Sequence, residues 1–265
     1  MSQKKALQLL GLEELTGSLR IVTQGVVDGA AAFLSRLCLP AAEELGLALR
    51  DRISGWRARN AMRMLDRANK IYLSNEPVGT DRLSPRLANL AIEESSWIED
   101  DSVQELWSGL LASATSIDGQ SDENLLFMNL LKQMSSFEVS VLRFAVEKSS
   151  KKVIQGLAIS EPFEGFLVKD LPSLLGVQDI HRIDRELDHL RELGLIGPNT
   201  GRGRGGGINL SSGTADLTPT PLALHLYVRS QGSKLSPVDY WNIPVLQDKA
   251  TATVRTEKDF LEPEK

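Results

Sequence analysis

Apolar residues recur every three or four positions through the first half of the chain, a spacing that predicts helices. A first apolar face falls at positions 19, 22, 26, 30, 33 and 37. Beyond Pro40, a long helix is predicted over about 40–72, and its apolar face consists of Leu45, Leu49, Ile53, Trp56, Met64, Ala68 and Ile71. With further helices up to residue 134, these patterns predict an N-terminal helical bundle over residues 1–134.

Capping sequences mark several helix starts. Ser84 followed by Pro85 offers an N-cap and then a proline in the first turn, where a missing N–H costs nothing. Ser102 with Glu105, and Ser135 with Glu138, match the capping box, in which serine and glutamate satisfy two backbone N–H groups reciprocally. The second match predicts a domain boundary. The tryptophans at positions 56 and 107 both fall on predicted helices, where core packing is expected.

The pattern changes over residues 135–236. A helix near 137–148 is followed by a polar stretch, a short helix that ends at Gly176, and a longer helix that Asp179 opens. Leucine and isoleucine at 195 and 196 predict the start of a strand. The order of short helix, turn and longer helix is that of a helix-turn-helix.

A glycine-rich loop at 201–207 precedes two short apolar segments, 208–210 and 215–217, which predict a β-hairpin. A hairpin after a helix-turn-helix is the wing of a winged helix. The expected fold class is therefore mainly α, a helical bundle followed by a winged-helix-like domain. Residues 237–265 contain three prolines and scattered charge, and predict an extended, partly disordered tail.

Composition narrows the class of protein. Hydrophobic residues make up 42% and charged residues 25% of the chain, as in soluble globular proteins. The formal net charge of -5 is too small to argue for nucleic acid or membrane by itself. Cys38 is the single cysteine, so no internal disulfide can form and a cytoplasmic location is expected. No stretch is apolar enough to predict a membrane-spanning helix, which needs roughly 20 such residues.

A basic stripe lies on the second face of the long helix and consists of Arg52, Arg59, Arg63, Arg67 and Lys70. Residues 93–105 hold six acids and no base. The first expectation is that these opposite charges pair within the protein or between subunits. The stripe could instead bind nucleic acid, an acidic protein or anionic lipid, and with residues 19–37 it could hold the protein at a membrane surface.

The motifs that suggest chemistry each have a simpler explanation. The sequence from Gly201 to Gly206 matches G-x-G-x-x-G, but a helix precedes it and a predicted strand follows, so a flexible wing tip is favoured over a nucleotide site. The histidines at 181, 189 and 225 lack the four-residue spacing of metal ligands, and Cys38 has apolar neighbours. The acids at 99–101 precede a helix, where they complement its dipole. We therefore predict no catalytic residue, no cofactor and no metal.

DNA binding is the hypothesis that the predicted winged helix raises. Arg182 and Arg185 lie on the longer helix, and Arg202 and Arg204 at the wing tip, where they could contact phosphates or a protein partner. Four acids share that helix, and residues 135–236 are nearly neutral, whereas DNA-binding domains are usually basic. Contact with a protein, or a purely architectural role, is therefore favoured over contact with nucleic acid.

Two blocks of sequence carry a family likeness. One spans residues 39–70 and contains LPAAEELG, DRISGW and LDRANK; the other spans 91–114 and begins AIEESSWIEDD. A weaker likeness covers 187–196 and 217–219. These blocks resemble the abortive-infection alpha family of bacterial proteins. The resemblance implies a role in limiting phage propagation, with a partner protein, and it brings no established catalytic residues.

We therefore expect an anti-phage defence protein that binds or recruits rather than catalyses. Its expected partners are further copies of itself, a second defence protein, or a phage component that it senses. A winged-helix transcriptional regulator and an effector at the membrane surface are the alternatives.

Overall fold

A computed structural model describes residues 23–38, 55–75, 81–117, 119, 121–197 and 206–244, and over these the chain is mainly helical. The helices are α1 (Gln24–Leu37), α2 (Gly55–Ser74), α3 (Pro85–Ser96), α4 (Asp101–Ser113), α5 (Asn124–Leu131), α6 (Ser136–Lys148), α7 (Leu171–Leu175), α8 (Ile180–Glu192), α9 (Pro221–Ser230) and α10 (Pro237–Tyr240). The strands are β1 (Lys151–Ile154), β2 (Leu157–Ser160), β3 (Glu164–Leu167), β4 (Gly207–Asn209) and β5 (Thr214–Asp216).

Helix α2 organises the first half because it packs against α1, α3 and α4. These four helices bury their apolar faces against one another, as their three- and four-residue spacing predicts. They supply the largest fully buried side chains, which are Trp107, Phe33, Leu34, Leu37, Met62, Met64, Leu65, Leu87, Leu110 and Leu111. The predicted long helix is thus confirmed over 55–74, while 40–54 lies outside the described residues.

Two glycines let helices approach closely. A Cβ on Gly29 of α1 would lie 2.0 Å from a carboxylate oxygen of Asp66 on α2. A Cβ on Gly109 of α4 would lie 1.7 Å from the carbonyl oxygen of Ser230, at the end of α9. Neither site has room for a methyl group: Gly29 makes space for the Asp66 side chain against α1, and Gly109 lets α4 meet the backbone at the end of α9. The second contact joins the predicted bundle to residues 135–236, whose separation into two domains stays a prediction.

An antiparallel hairpin of β1 and β2 follows α6, where the sequence predicted no strand. Gln155 and Gly156 form its turn with φ of 51° and 80°, the left-handed backbone that a two-residue type I′ turn requires. Its buried residues are Val153, Ala158 and Ser160. So few inward positions give no alternation long enough to predict a strand.

The second sheet has three antiparallel strands in the order β3-β5-β4. Strands β4 and β5 confirm the predicted hairpin. The predicted two-stranded wing is extended by β3, which precedes α7 and pairs with β5. Between them, α7 ends at Gly176, in the left-handed conformation, and Asp179 caps α8 with its carboxylate. This arrangement is compatible with the predicted winged helix.

Two predicted helix caps and one predicted strand have different outcomes in the structure. The capping box of Ser135 and Glu138 is confirmed. The one predicted from Ser102 is wrong, because Asp100 takes the N-cap position and its carboxylate accepts from the N–H groups of Ser102 and Val103. The strand predicted at 195–196 is reduced to one isolated bridge between residue 196 and residue 219.

The start of the predicted tail is helical and packed. Helix α10 contacts α9 and β2, and its proline is buried. Trp241 stacks on Tyr227 with ring centroids 5.9 Å apart. These aromatic contacts, which join residues far apart in sequence, explain why 237–244 are not simply extended. Residues 245–265 lie outside the described part.

Candidate protein-binding surface

Most of the basic stripe is paired within the protein. Arg63 and Arg67 on α2 both donate to Asp101 at the start of α4, over 2.6 and 2.7 Å. Hydrogen bonding from Arg67, and the positive charge of Arg67 and Arg63, lower the pKa of Asp101. Lys70 pairs with Asp66 on its own helix over 2.7 Å. Pairing of the stripe with the acids at 93–105, the first expectation from the sequence, is therefore confirmed for Arg63 and Arg67, whereas Lys70 pairs with an acid outside that segment.

The other two members of the stripe are Arg52 and Arg59. Arg52 lies outside the described residues, and Arg59 is half-buried on α2. Three of the four described bases are paired, so the described part of the stripe is not a continuous positive surface. Binding of the stripe to nucleic acid or lipid stays a prediction without support from these contacts.

Sequence analysis missed Arg57, the most deeply buried arginine of α2. Its side chain is 8% exposed and donates to Glu93 of α3 over 2.8 Å. It also donates to the hydroxyl of Ser96 through both Nε and Nη2, over 3.1 and 2.8 Å. A buried guanidinium is stable only when its charge and N–H groups are satisfied, as they are here. Arg57 therefore joins α2 to the end of α3.

Two tryptophans lie close to Arg57. Trp56 is in the first turn of α2 and Trp97 directly follows α3, and their ring centroids are 5.9 Å apart in an edge-to-face arrangement. The guanidinium of Arg57 lies 3.7 Å from the centroid of the Trp97 ring, and the indole N–H of Trp97 donates to Glu93 over 3.4 Å. Trp97 is thus held from below by a cation–π contact and at its edge by a hydrogen bond.

Both tryptophans nevertheless face solvent. Trp97 is 57% exposed and Trp56 is 38% exposed, whereas Trp107 is fully buried. The expected core role is therefore confirmed for Trp107 and wrong for Trp56, because Trp56 lies at the first turn of α2, beside Trp97 and away from the core. We call Trp56 and Trp97, with Arg57 beneath them, the tryptophan surface.

The tryptophan surface has the chemistry of a protein contact. Tryptophan and arginine are the residues most enriched where protein interfaces gain their binding energy. Rings already fixed by neighbours lose little side-chain entropy when a partner covers them. In the sequence, the one sign of this surface was Trp97, a large aromatic residue between a helix end and the acids at 99–101. The sequence could not show the crossing of α2 and α3, which brings Trp56 beside Trp97.

Helix α8 presents fewer free arginines than the sequence suggested. Arg182 donates to Glu186 of the same helix over 2.7 Å, and its guanidinium lies 5.4 Å from the ring centroid of Phe137. This pairing raises the pKa of Arg182. Glu186 also accepts from the hydroxyl of Ser135. Arg185 is exposed on the same helix. One of the two predicted contact arginines is therefore held by an intrahelical carboxylate.

The third arginine of α8, which the sequence did not single out, is also paired. Arg191, near the end of α8, pairs with Asp188 over 2.7 Å and approaches Glu192 to 3.8 Å. The other two predicted contact residues, Arg202 and Arg204, lie outside the described residues. The four predicted arginines are thus not brought together by the described contacts, and DNA binding stays a prediction.

Several of the titratable groups that first suggested chemistry make structural contacts. Burial raises the pKa of the Cys38 thiol to about 12, so the thiol stays protonated and is a poor nucleophile. His189 lies 2.6 Å from the buried carboxylate of Glu138, which links α8 to the cap of α6. Asp100 and Asp101 sit at the start of α4, as expected of acids that complement a helix dipole. Within the described ranges, no group of three metal-ligating side chains is found.

Helix α1 buries most of the described part of the apolar face that had suggested membrane contact. On that face Ala30, Phe33 and Leu37 are 1% exposed or less, and α1 packs against α2. Val26 is partly buried, and positions 19 and 22 lie outside the described residues. An apolar face already covered by protein is not available to lipid. Among the helices that the structure describes, none combines the length and the apolar character needed to cross a bilayer.

Comparison with known proteins adds one result. The model of the abortive infection alpha family matches residues 58–203, which is more than half of the chain. The chain therefore belongs to the abortive infection alpha family, as its two sequence blocks indicated. No curated protein and no solved structure gives a significant match.

Proposed function

We propose that this protein acts in abortive-infection defence against phage by binding another protein through the tryptophan surface. Membership of the abortive infection alpha family supports the defence role. The exposed Trp97, held by the buried Arg57, is the observation that supports binding. The partner is a further copy of this chain or a second defence protein, and a phage component triggers the response.

The chemistry of the surface favours binding over catalysis. Its buried guanidinium is already paired, because Arg57 donates to Glu93 and to Ser96. Glu93 stays 40% exposed, and the two indoles are the large apolar groups that face solvent here. Such a surface gains affinity when a partner excludes water from it.

A site-specific photo-crosslink tests the proposal. Glu99 is exposed, two residues beyond Trp97, and a photoreactive phenylalanine derivative there would reach a partner seated on the rings. The same derivative at Leu126, which is 53% exposed on α5, is the matched control. In phage-infected cells we expect a discrete crosslinked protein from position 99, absent at 126 and lost when Trp97→Ala is added. Equal crosslinking at both positions, or crosslinking that survives Trp97→Ala, would contradict the proposal.

A further inference from the structure

A cavity of about 650 Å³ lies where the first half of the chain meets the loop after α9. That volume is within the range of small-molecule binding sites. Its described lining residues are Tyr72, Asn75, Asp81, Ala112, Thr115, Ser116, Ile117, Gly232, Ser233, Lys234 and Leu235. The cavity is distant in the sequence from Trp56 and Trp97 and takes no residue from the tryptophan surface.

Three helices end at this cavity. Helix α2 ends at Ser74, α4 at Ser113 and α9 at Ser230, and each is followed within two residues by part of the lining. The C-terminal end of a helix carries a partial negative charge of about half an elementary charge. Three such ends next to one space favour a positively charged group there and disfavour an anion.

A buried carboxylate adds to this negative potential. The side chain of Asp81 is 8% exposed, although it lines the cavity. Tyr72 is buried beside it, and the pKa of Tyr72 is raised by burial first and by the charge and hydrogen bonding of Asp81 second. A buried carboxylate of this kind is stable when a cation neutralises it.

Lys234 supplies the cation that faces Asp81, and the contact between them is long. Lys234 Nζ lies 3.4 Å from Asp81 Oδ2, beyond the 2.7–2.9 Å of a good charge-assisted hydrogen bond. The Lys234 side chain is 45% exposed and belongs to the loop after α9. Another ammonium or amidinium could therefore replace it without opening the fold. Ile117 and Leu235, which are 74% and 54% exposed, offer apolar contact at the rim.

We propose that this cavity binds a small organic cation whose charged group takes the place of Lys234 at Asp81. The apolar body of the ligand lies against Ile117 and Leu235. The proposal is independent of the protein contact assigned to the tryptophan surface, since no residue is shared.

Three probes of one shape test the charge preference: benzamidine, benzamide and benzoate carry the same ring with a positive, neutral or negative group. Dissociation constants measured by ligand-observed NMR should rank benzamidine tightest and benzoate weakest. Asp81→Asn should weaken benzamidine about 10- to 100-fold, because it removes the charge from a charge-assisted hydrogen bond. The dissociation constant of benzamide should change little in this variant.

Lys234→Gln should change the affinity for benzamidine in the direction opposite to Asp81→Asn. It also tests the site if Asp81→Asn does not fold. It removes the competing ammonium, so benzamidine should bind about two- to fivefold tighter, the scale of an exposed ion pair. Asp184→Asn, an exposed charge change on α8, should leave binding as in the wild type. If Asp81→Asn does not fold, the ranking of the probes and Lys234→Gln carry the test. Any of three results would overturn the proposal: benzoate binds tightest, Asp81→Asn and Lys234→Gln leave benzamidine binding unchanged, or benzamidine does not bind at millimolar concentration.

Discussion

Helices α2 and α8 both carry a row of arginines, and the two rows differ in where their partners lie. On α2, Arg57 and Arg67 reach carboxylates of α3 and α4. On α8, Arg182 and Arg191 pair with carboxylates of α8 itself. An ion pair between two helices fixes how they pack, whereas a pair within one helix adds only local stability.

Both helices have paired arginines, but with different consequences for the fold and for binding. The arginines of α2 belong to the architecture of the first half, and the tryptophan surface depends on one of them for its support. The arginines of α8 leave that helix nearly neutral, which weakens the argument for phosphate binding. A row of like charges in a sequence therefore does not define a binding site until the partners of each charge are known.

The largest expected effect is at Arg57. Arg57→Met removes the guanidinium that joins α2 to α3, so Glu93 and Ser96 lose the hydrogen bonds that it donates. Because Arg57 is buried while Glu93 is 40% exposed, the free energy of unfolding should fall by about 2–4 kcal/mol, measured by urea denaturation. A loss under 0.5 kcal/mol, a value ordinary for exposed pairs, would remove the distinction between the two rows.

A second prediction concerns the cap of α4. Asp100→Ala removes the carboxylate that accepts from the N–H groups of Ser102 and Val103, and should cost about 1 kcal/mol. Ser102→Ala removes only a hydroxyl that donates to Asp100, so it should cost less. Thermal unfolding of both variants distinguishes this cap from the capping box that the sequence predicted. A greater cost for Ser102→Ala would restore the sequence-based assignment.

A third prediction uses pH to isolate the contact of α2 with α4. The pKa of Asp101 is lowered in the folded state, chiefly by the hydrogen bond from Arg67 and then by charge. A carboxyl group with a lowered pKa stabilises the fold above its unfolded pKa, and this contribution is lost as the pH falls through the folded value.

The stability of wild type relative to Asp101→Asn should therefore be greatest above about pH 5 and decline at lower pH. Because Asp101 is 63% exposed, the difference should stay under about 1 kcal/mol and shrink in high salt. Denaturation curves from pH 3 to pH 7, the range that brackets carboxyl titration, would measure it. A difference that is the same at every pH would show that the Arg67 contact is not electrostatic.

The smallest effect is expected on α8. Arg182→Gln breaks an intrahelical pair whose arginine side chain is 42% exposed, and should change the unfolding free energy much less than Arg57→Met does. The same denaturation assay gives the value. A loss as large as that of Arg57→Met would mean that an ion pair within α8 stabilises the fold as much as the pair between α2 and α3.

These contrasts also show how far the sequence could predict the structure. Regular helical spacing located the helices of the first half, and the hairpin of β4 and β5 was found from its apolar segments. The hairpin of β1 and β2 was missed because only three of its residues are buried, and its turn is Gln155-Gly156 rather than Asn-Gly. The sequence could not show that Trp56 and Trp97 are adjacent, because that depends on how α2 crosses α3. The cavity at Asp81 likewise combines segments from both halves of the chain.

The central claim is that protection against phage depends on the tryptophan surface and not on the charged stripe. The most direct test is the plating efficiency of phage on cells that express Trp97→Ala, Arg67→Gln or Leu126→Ala at matched levels, with the melting temperature of each purified variant recorded. We expect Trp97→Ala to lose protection while it stays folded, and the other two to protect like the wild type. Full protection by folded Trp97→Ala would contradict the claim.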